Sequence, residues 1–411
     1  MNIKKIASLA WKNIGRNRVR SGVIMGAIAI GLFAGTYLSA LMTGWMIGTI
    51  NDDINNFMSH VQIHDSAFIA NSDINSCFLK TPVAEHIAES GIDARTAYRL
   101  KLNGMLASAG NVVGITVKGV FRDQEMQTTT IWKQIPDSLG SFFPDDFRIP
   151  IVISAKTAEK LKVRLRSKIV FTFQDINGDM QSLAFRVCGI FRTTNGMLDE
   201  SMAFVLYDDI FPATGLPQDA VHEAGILFRD LQASENLAPQ IGALFPDMKV
   251  EDWCEMNPML AMSLEWINLM AVIIIGIFLL ALSFGIVNTM LMAVLERTHE
   301  LGMLGAIGMS KKSMFSMIML ETVFLTLVGS FVGIILAVAL LLPSIRTGLN
   351  LTPLMGDAFV DWGFGSVIYP IVNITMFVEI VILVIAAGIL SAIYPALKAL
   401  KLKPLEAIRQ L

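Results

Sequence analysis

The chain has 411 residues, of which 54% are hydrophobic and 16% charged, and a formal net charge of −3. That composition is too apolar for an ordinary soluble protein and too charged for one wholly embedded in lipid, so it requires a few membrane spans plus a folded aqueous domain. No basic patch with interleaved aromatics occurs, which argues against a nucleic-acid partner.

Residues 1–20 hold Lys4, Lys5, Lys12, Arg16, Arg18 and Arg20 and no acid, while Ile3, Ile6, Ala7, Ala10, Trp11 and Ile14 recur at helical spacing. This predicts an amphipathic helix lying in the lipid interface. A signal-peptide reading is disfavoured, because the uncharged run from Ser21 to Asn51 far exceeds an h-region. Residues 21–50 are the expected first span. Thirty residues rise about 45 Å, more than the ~30 Å hydrocarbon core, so the helix tilts or projects outward as a stalk. Gly22/Gly26, Gly31/Gly35 and Gly44/Gly48 are small-xxx-small pairs that let helices approach.

Residues 51–265 form an expected α+β domain. Strands are predicted at Ser59–His64, Val112–Phe121, Ile149–Ile153, Lys168–Gln174, Ser182–Arg192, Met202–Tyr207 and Ala224–Phe228, with Asn177-Gly178 as a hairpin turn. Helices are predicted at Pro82–Ser90 capped by Thr81, at Ala155–Val163 after Ser154, and at Ala233–Leu244. His60, His64, His86 and His222 are scattered and read as structural or surface residues. Cys77, Cys188 and Cys254 all fall here. An odd number permits at most one intramolecular disulfide, with Cys77 and Cys254 as the candidate pair, or else three free thiols.

A second apolar run, 266–295, has the same excess length and leads into the segment 296–312, ERTHELGMLGAIGMSKK. This segment is too short for a domain and too polar for lipid, so it lies at a membrane surface. Ser310 is a candidate N-cap for the next helix. The spacing alone also suits a plain solvated loop. The third span is expected at 313–342, ending before Pro343, with Gly329/Gly333 as another close-packing pair. An outer loop at 343–370 carries Arg346, Asp357 and Asp361, with Trp362, Phe364 and Tyr369 suited to an interfacial aromatic belt. The fourth span is expected at 371–395, ending at Pro395, and a tail at 396–411.

The fold class is therefore an α-helical membrane protein with four transmembrane helices and a large α+β extracytoplasmic domain inserted between helices 1 and 2. The N-terminus, the 296–312 segment and the tail together hold thirteen basic residues against Glu296, Glu300 and Glu406. The positive-inside rule puts all three in the cytoplasm and the 51–265 domain outside. Glu321 and Glu379 sit inside apolar runs. An ionised group at mid-bilayer costs roughly 3 kcal/mol on insertion scales, so each should face protein or water. Glu321 reads as a packing or coupling residue near the cytoplasmic side, without an evident intramembrane partner, and Glu379 as a residue lining a cavity. No Gly-Lys dipeptide occurs, so no phosphate loop can be written, and HExxH, CxxC and GxSxG are absent. A hydrolase is disfavoured, and no catalytic or metal-binding residues are assigned.

The string Glu296-Arg297-Thr298-His299-Glu300-Leu301-Gly302, then Ala306-Ile307-Gly308, Lys311-Lys312 and Glu321, resembles the signature of the FtsX-like permease family, the membrane subunits of MacB-type ABC transporters. Leu9–Ile14 with Arg16, Arg18 and Arg20, and Pro395–Ala399 with Lys403–Arg409, look like the family's terminal patterns. His299 and Gly305 stand where many relatives carry Arg or Lys. The resemblance implies that Glu296, Arg297, Thr298, Glu300, Leu301, Gly302, Gly308, Lys311 and Lys312 belong to a coupling helix that docks a separate cytoplasmic ATPase. ATP and Mg would then be bound by the partner, with no cofactor on this chain. It also implies a second permease subunit, in a homo- or heterodimer, and a bacterial inner-membrane location. The position of the domain and the strand Val61–His64 look like the LolC/LolE branch, which implies a lipoprotein substrate and a periplasmic carrier. An efflux or peptide-export permease and an FtsX-like platform controlling cell-wall hydrolases are the other members of the resemblance.

Overall fold

The computed structural model describes residues 3–400 apart from Thr194, Thr352, 354–366 and Asn373. The expectations for Asp357, Asp361, Trp362 and Phe364, and for the tail from Lys401 to Arg409, lie outside the described residues. The chain divides into two compact units. One combines Met1–Met46, Leu264–Leu349 and Ile368–Leu411, and the other holds Ile47–Ser263 with Asn350–Val367.

The first unit is helical. Helix α1 spans Ile3–Arg16, α2 Arg18–Asp53, α3 Pro258–Glu296, α4 Thr298–Ala306, α5 Lys311–Thr347 and α6 Ile374–Leu400. Four of them, α2, α3, α5 and α6, are long and apolar enough to cross a membrane. Ile6 and Ala10 of α1 are buried among residues of α2, α5 and α6, while Lys4 and Lys5 face outward. α5 packs on α2 through Gly329 and Gly333. A Cβ at Gly333 would lie 2.9 Å from the Ala29 carbonyl oxygen, and one at Gly329 2.9 Å from the Ile28 Cβ. Gly22 and Gly26 have no such neighbour within 4 Å, so among the described residues that pair is not a packing site, whereas a Cβ at Gly35 would meet Ile380 at 4.0 Å and one at Gly44 would lie 2.9 Å from the Ile371 nitrogen.

Several helix ends differ from the sequence reading, and each for a local reason. α3 begins at Pro258 rather than near Trp266, because Asn257 accepts a hydrogen bond from the Leu260 N–H (3.1 Å) and proline suits the first helical position. Glu265 lies inside the helix, since a charge does not end one. α5 runs through Pro343 to Thr347 and stops at Gly348, whose φ is +68°. The third span's helix thus continues into what was expected to be loop. α6 likewise passes Pro395 and continues through Leu400, the last described residue, burying Ala396 and Ala399. Proline removes one intrahelical hydrogen bond but does not forbid the next turn when packing holds it.

The second unit is an α+β domain on a nine-stranded sheet. Its strands are β1 Val61–His64, β2 Arg95–Ala107, β3 Val112–Val120, β4 Pro150–Ser154, β5 Lys168–Gln174, β6 Met180–Phe191, β7 Met202–Leu206, β8 Glu223–Leu227 and β9 Lys249–Asp252. The order is β9-β1-β8-β2-β3-β7-β4-β6-β5, and β5 returns to pair with the far half of β2, Gly104 opposite Phe173. Only β3–β7 and β4–β6 are parallel. The Asn177-Gly178 turn joins β5 to β6, with Gly178 at φ +86°. Ser154 caps the helix Ala155–Leu161 by accepting from the Thr157 N–H. Lys80–Glu89 is the helix expected from Pro82. Its first turn is held from outside by the Asp219 carboxylate, which accepts from the Thr81 N–H at 2.8 Å, so Thr81 is not the cap. All three cysteines are free thiols.

β2 and β9 were not read from the sequence. β2 carries Arg99, Lys101 and Asn103 at its centre, a polar stretch that resists assignment by alternation. Arg99 is fully buried, donating to Glu125 (2.8 and 3.1 Å) and paired with Glu223, which also meets Lys101 at 3.1 Å and Lys118 at 3.6 Å. Burial opposes the Arg99 charge, but the two carboxylates hold it above its ordinary pKa. Burial pushes the Lys118 amine down to about 8. His64 and His222 are not scattered: their rings flank Phe68 at 5.8 and 4.7 Å. His222 donates to the Ile74 carbonyl and accepts from the Lys101 N–H, and burial lowers both imidazoles, which suits a structural role.

The close approach at Gly333 makes a measurable distinction. Gly333→Ala should lower the thermal unfolding midpoint of the detergent-purified chain, because overpacking typically costs about 1–3 kcal/mol. Gly22→Ala should leave it unchanged or raise it, since alanine is the better helix former by about 1 kcal/mol. Equal responses would contradict the α2–α5 packing.

Candidate functional site: the 296–312 segment and its ion network

The segment between α3 and α5 contains a real helix, α4, of nine residues. Glu296 ends α3, and Arg297 stands between the helices at φ −102°, ψ 17°. The Thr298 hydroxyl donates to the Leu295 carbonyl at 2.6 Å, turning the chain into α4. Glu300 lies in the first turn of α4, where a carboxylate complements the helix dipole. Leu301 and Gly302 are buried against the helical unit. Gly308, at φ +98°, reverses the chain after α4, a conformation that L side chains rarely adopt. Ser310 then caps α5 by accepting from the Ser313 N–H at 3.2 Å, and Lys311 and Lys312 stand exposed in the first turn.

Three arginines and three glutamates knit this segment to the N-terminal helices. Arg16, at the end of α1, pairs with Glu300. Arg20, at the start of α2, reaches Glu296 at 3.3 Å and Glu321 at 3.7 Å. Arg297 donates to Glu300 at 3.2 Å and to both oxygens of Glu321 at 3.3 Å. Asn13 adds a side-chain hydrogen bond to Glu321. Glu321 is only 4% exposed. The expectation that it lacks a partner is thus corrected: two arginines serve it from different elements. A carboxylate in an apolar helix is tolerated when its charge is matched in this way.

The structure brings Glu296, Arg297, Thr298, Glu300, Leu301, Gly302 and Glu321 into one assembly. Gly329 and Gly333 serve α2–α5 packing instead. Glu379 is separate, lining a groove between α2, α3 and α6. Sequence reasoning placed Asn13, Arg16 and Arg20 in a terminal pattern and counted the arginines as positive charge, but gave none of them a partner. The available signal was Glu321 itself, which needs cations at its own depth. It passed over Met303 and quoted Ile307 only as part of the signature, although both are apolar and exposed, on α4 and in the turn that follows, with Ile307 84% exposed.

Removing the shared acceptor tests the network. Glu321→Gln should destabilise the chain by about 2–3 kcal/mol, toward the low end for a broken buried pair because the arginines keep some solvent contact. Arg16→Gln should cost under about 1 kcal/mol, as for exposed pairs. Thermal unfolding of the two variants in detergent checks the ranking, and the reverse order would refute Glu321 as its centre.

Residues 272–404 match the family described as FtsX-like permease C-terminal. The chain is 23% identical over 400 residues to the lipoprotein-releasing system transmembrane protein LolC of Neisseria meningitidis serogroup B, covering 94% of this chain and 93% of that protein. It is 32% identical over 160 residues to the macrolide export ATP-binding/permease protein MacB of Chlorobium luteolum, covering 39% of this chain and 21% of that protein. The extracellular domain of the noncanonic ABC-type transporter YknZ from Gram-positive bacteria aligns at 13% identity and a TM-score of 0.33, covering 47% of this chain and 99% of that one. Residues 272–404 therefore carry an FtsX-like permease C-terminal domain, and the chain as a whole is similar to permease proteins of the LolC and MacB type.

Proposed function

We propose that this chain is the permease subunit of an inner-membrane ABC complex in which a separate cytoplasmic ATPase docks on α4 and drives the extracytoplasmic domain to release lipoproteins. ATP and Mg stay on that partner, and a second permease subunit completes the assembly. The observation that carries the reading is the mounting of α4. Met303 on its outer face and Ile307 just beyond its end are exposed, while Glu300 ties it by charge to α1 and, through Arg297, to α5. A push on such an element reaches several helices at once. Lys311 and Lys312 support it further: cations in the first turn of a helix oppose its dipole, so their place suits an acidic or polar partner better than the stability of α5.

The lipoprotein substrate rests on the LolC similarity along nearly the whole chain, and transfer to a periplasmic carrier follows from it. Export of a small molecule is the second reading, favoured by the MacB matches, though these cover only a fifth of that protein.

Ile307→Asp should abolish ATPase association and stimulation, by at least about tenfold as for a central interface residue, without changing thermal unfolding. An intact, fully stimulated complex would reduce the segment to a loop. α2 runs without a break from Arg18 to Asp53, and a rigid helix passes on displacement that a flexible linker dissipates. A Gly-Gly-Ser insertion after Thr49 should therefore preserve ATP hydrolysis while uncoupling it from lipoprotein release. Normal release at normal ATP consumption would exclude the lever.

A further inference from the structure

The two acids within the apolar helices meet opposite fates. Glu321 is surrounded by arginines. Glu379 is not: no Lys, Arg or His lines its groove, and among the described residues it has no ion-pair partner. It is exposed, on the wall of a groove of about 570 Å³ between α2, α3 and α6. The remaining walls are largely apolar, including Val272, Ile275 and Leu279 of α3 and Ile380 and Leu383 of α6, with Ser39 and Thr43 of α2 on one side.

Position adds to this. Glu379 lies five residues inside the start of α6, about 8 Å along the helix. Ser39 and Thr43 lie 19 and 23 residues beyond Arg20, about 29 and 35 Å along α2 from the arginine network. The groove therefore sits toward the outer ends of the spans, where a bilayer passes from hydrocarbon to headgroups. A carboxylate there, beside an apolar slot of ligand size, matches a molecule with a cationic head and an apolar body.

We propose that this groove binds an amphiphile carrying an ammonium group, with the ammonium on Glu379 and the apolar body along α3 and α6. The proposal goes beyond the transport reading, and its readout is ligand contact rather than ATP turnover, so each can fail without the other. The ammonium can come from a free cationic amphiphile or from an ethanolamine lipid headgroup.

The test is photolabelling of the full-length chain in dodecylmaltoside micelles with a diazirine-bearing dodecylamine and the matched dodecanoic acid. Labelled peptides are read by mass spectrometry. The amine should label α3 around 271–279 and α6 around 380–383 about fivefold more than the acid, the scale of one partly solvated ion pair. Glu379→Gln should remove that preference. Gly276 has no neighbour within 4 Å of its Cβ position, so Gly276→Leu should fill the groove and lower labelling by both probes without unfolding the chain. Competition by added phosphatidylethanolamine would support the proposal with bilayer lipid as the source, and no competition would support it with a free amphiphile. Equal labelling by amine and acid, a preference that survives Glu379→Gln, or no labelling because a second copy covers the groove would each overturn it.

Discussion

The helical unit depends on one electrostatic fact: Glu321 is buried and cannot remain there alone. A charge removed from water must be matched by opposite charge with good hydrogen-bond geometry, or the helix carrying it will not pack. Arg20 and Arg297 supply the match from two different elements, and Glu296 and Glu300 in turn occupy the remaining donors of those arginines and of Arg16. The position of α4, the entry of α2 and the depth of α5 are consequently not independent. Apolar packing alone would not fix them, because lipid competes with side chains for the same contacts.

The domain applies the same logic in a different solvent. Glu223 at 0% exposure is ringed by Arg99, Lys101 and Lys118, and Glu125 meets Arg99 from the other side. In water such a cluster would contribute little. Within the sheet it ties β8, β2 and β3 to the helix Arg122–Thr128, because removing any member would leave an uncompensated buried charge.

What could be read from the sequence follows from the range of the forces involved. The four long apolar helices were legible because twenty apolar residues announce themselves wherever they occur. The cap at Ser310 and the turn at Asn177-Gly178 were legible because their partners lie within four residues. The start of α3 was misplaced because charge was taken as a boundary, although the Asn257-Pro258 signal was present. The ends of α5 and α6 were misplaced because packing carried both helices past a proline. β2 was hidden because Arg99 is a strand residue only in the presence of Glu223, 124 residues away. The ion network was hidden for the same reason: Arg20 meets Glu296 across 276 residues. The segment's separation from the apolar helices on either side was legible, but the residues that hold it in place were not.

The end of α2 has a mechanical consequence. After Asp53 the chain widens into a π turn at Ile54–Met58, and the Lys118 ammonium, from the centre of the sheet, donates to the Phe57 carbonyl at 3.1 Å. A tensile load carried down that helix thus enters through β1, an interior strand hydrogen-bonded to β8 on one side and β9 on the other, and not through the β9 edge. Interior strands pulled lengthwise resist in shear, with many hydrogen bonds stretched together, whereas an edge strand peels one bond at a time. The attachment point favours a domain that moves as a block under force over one that unravels.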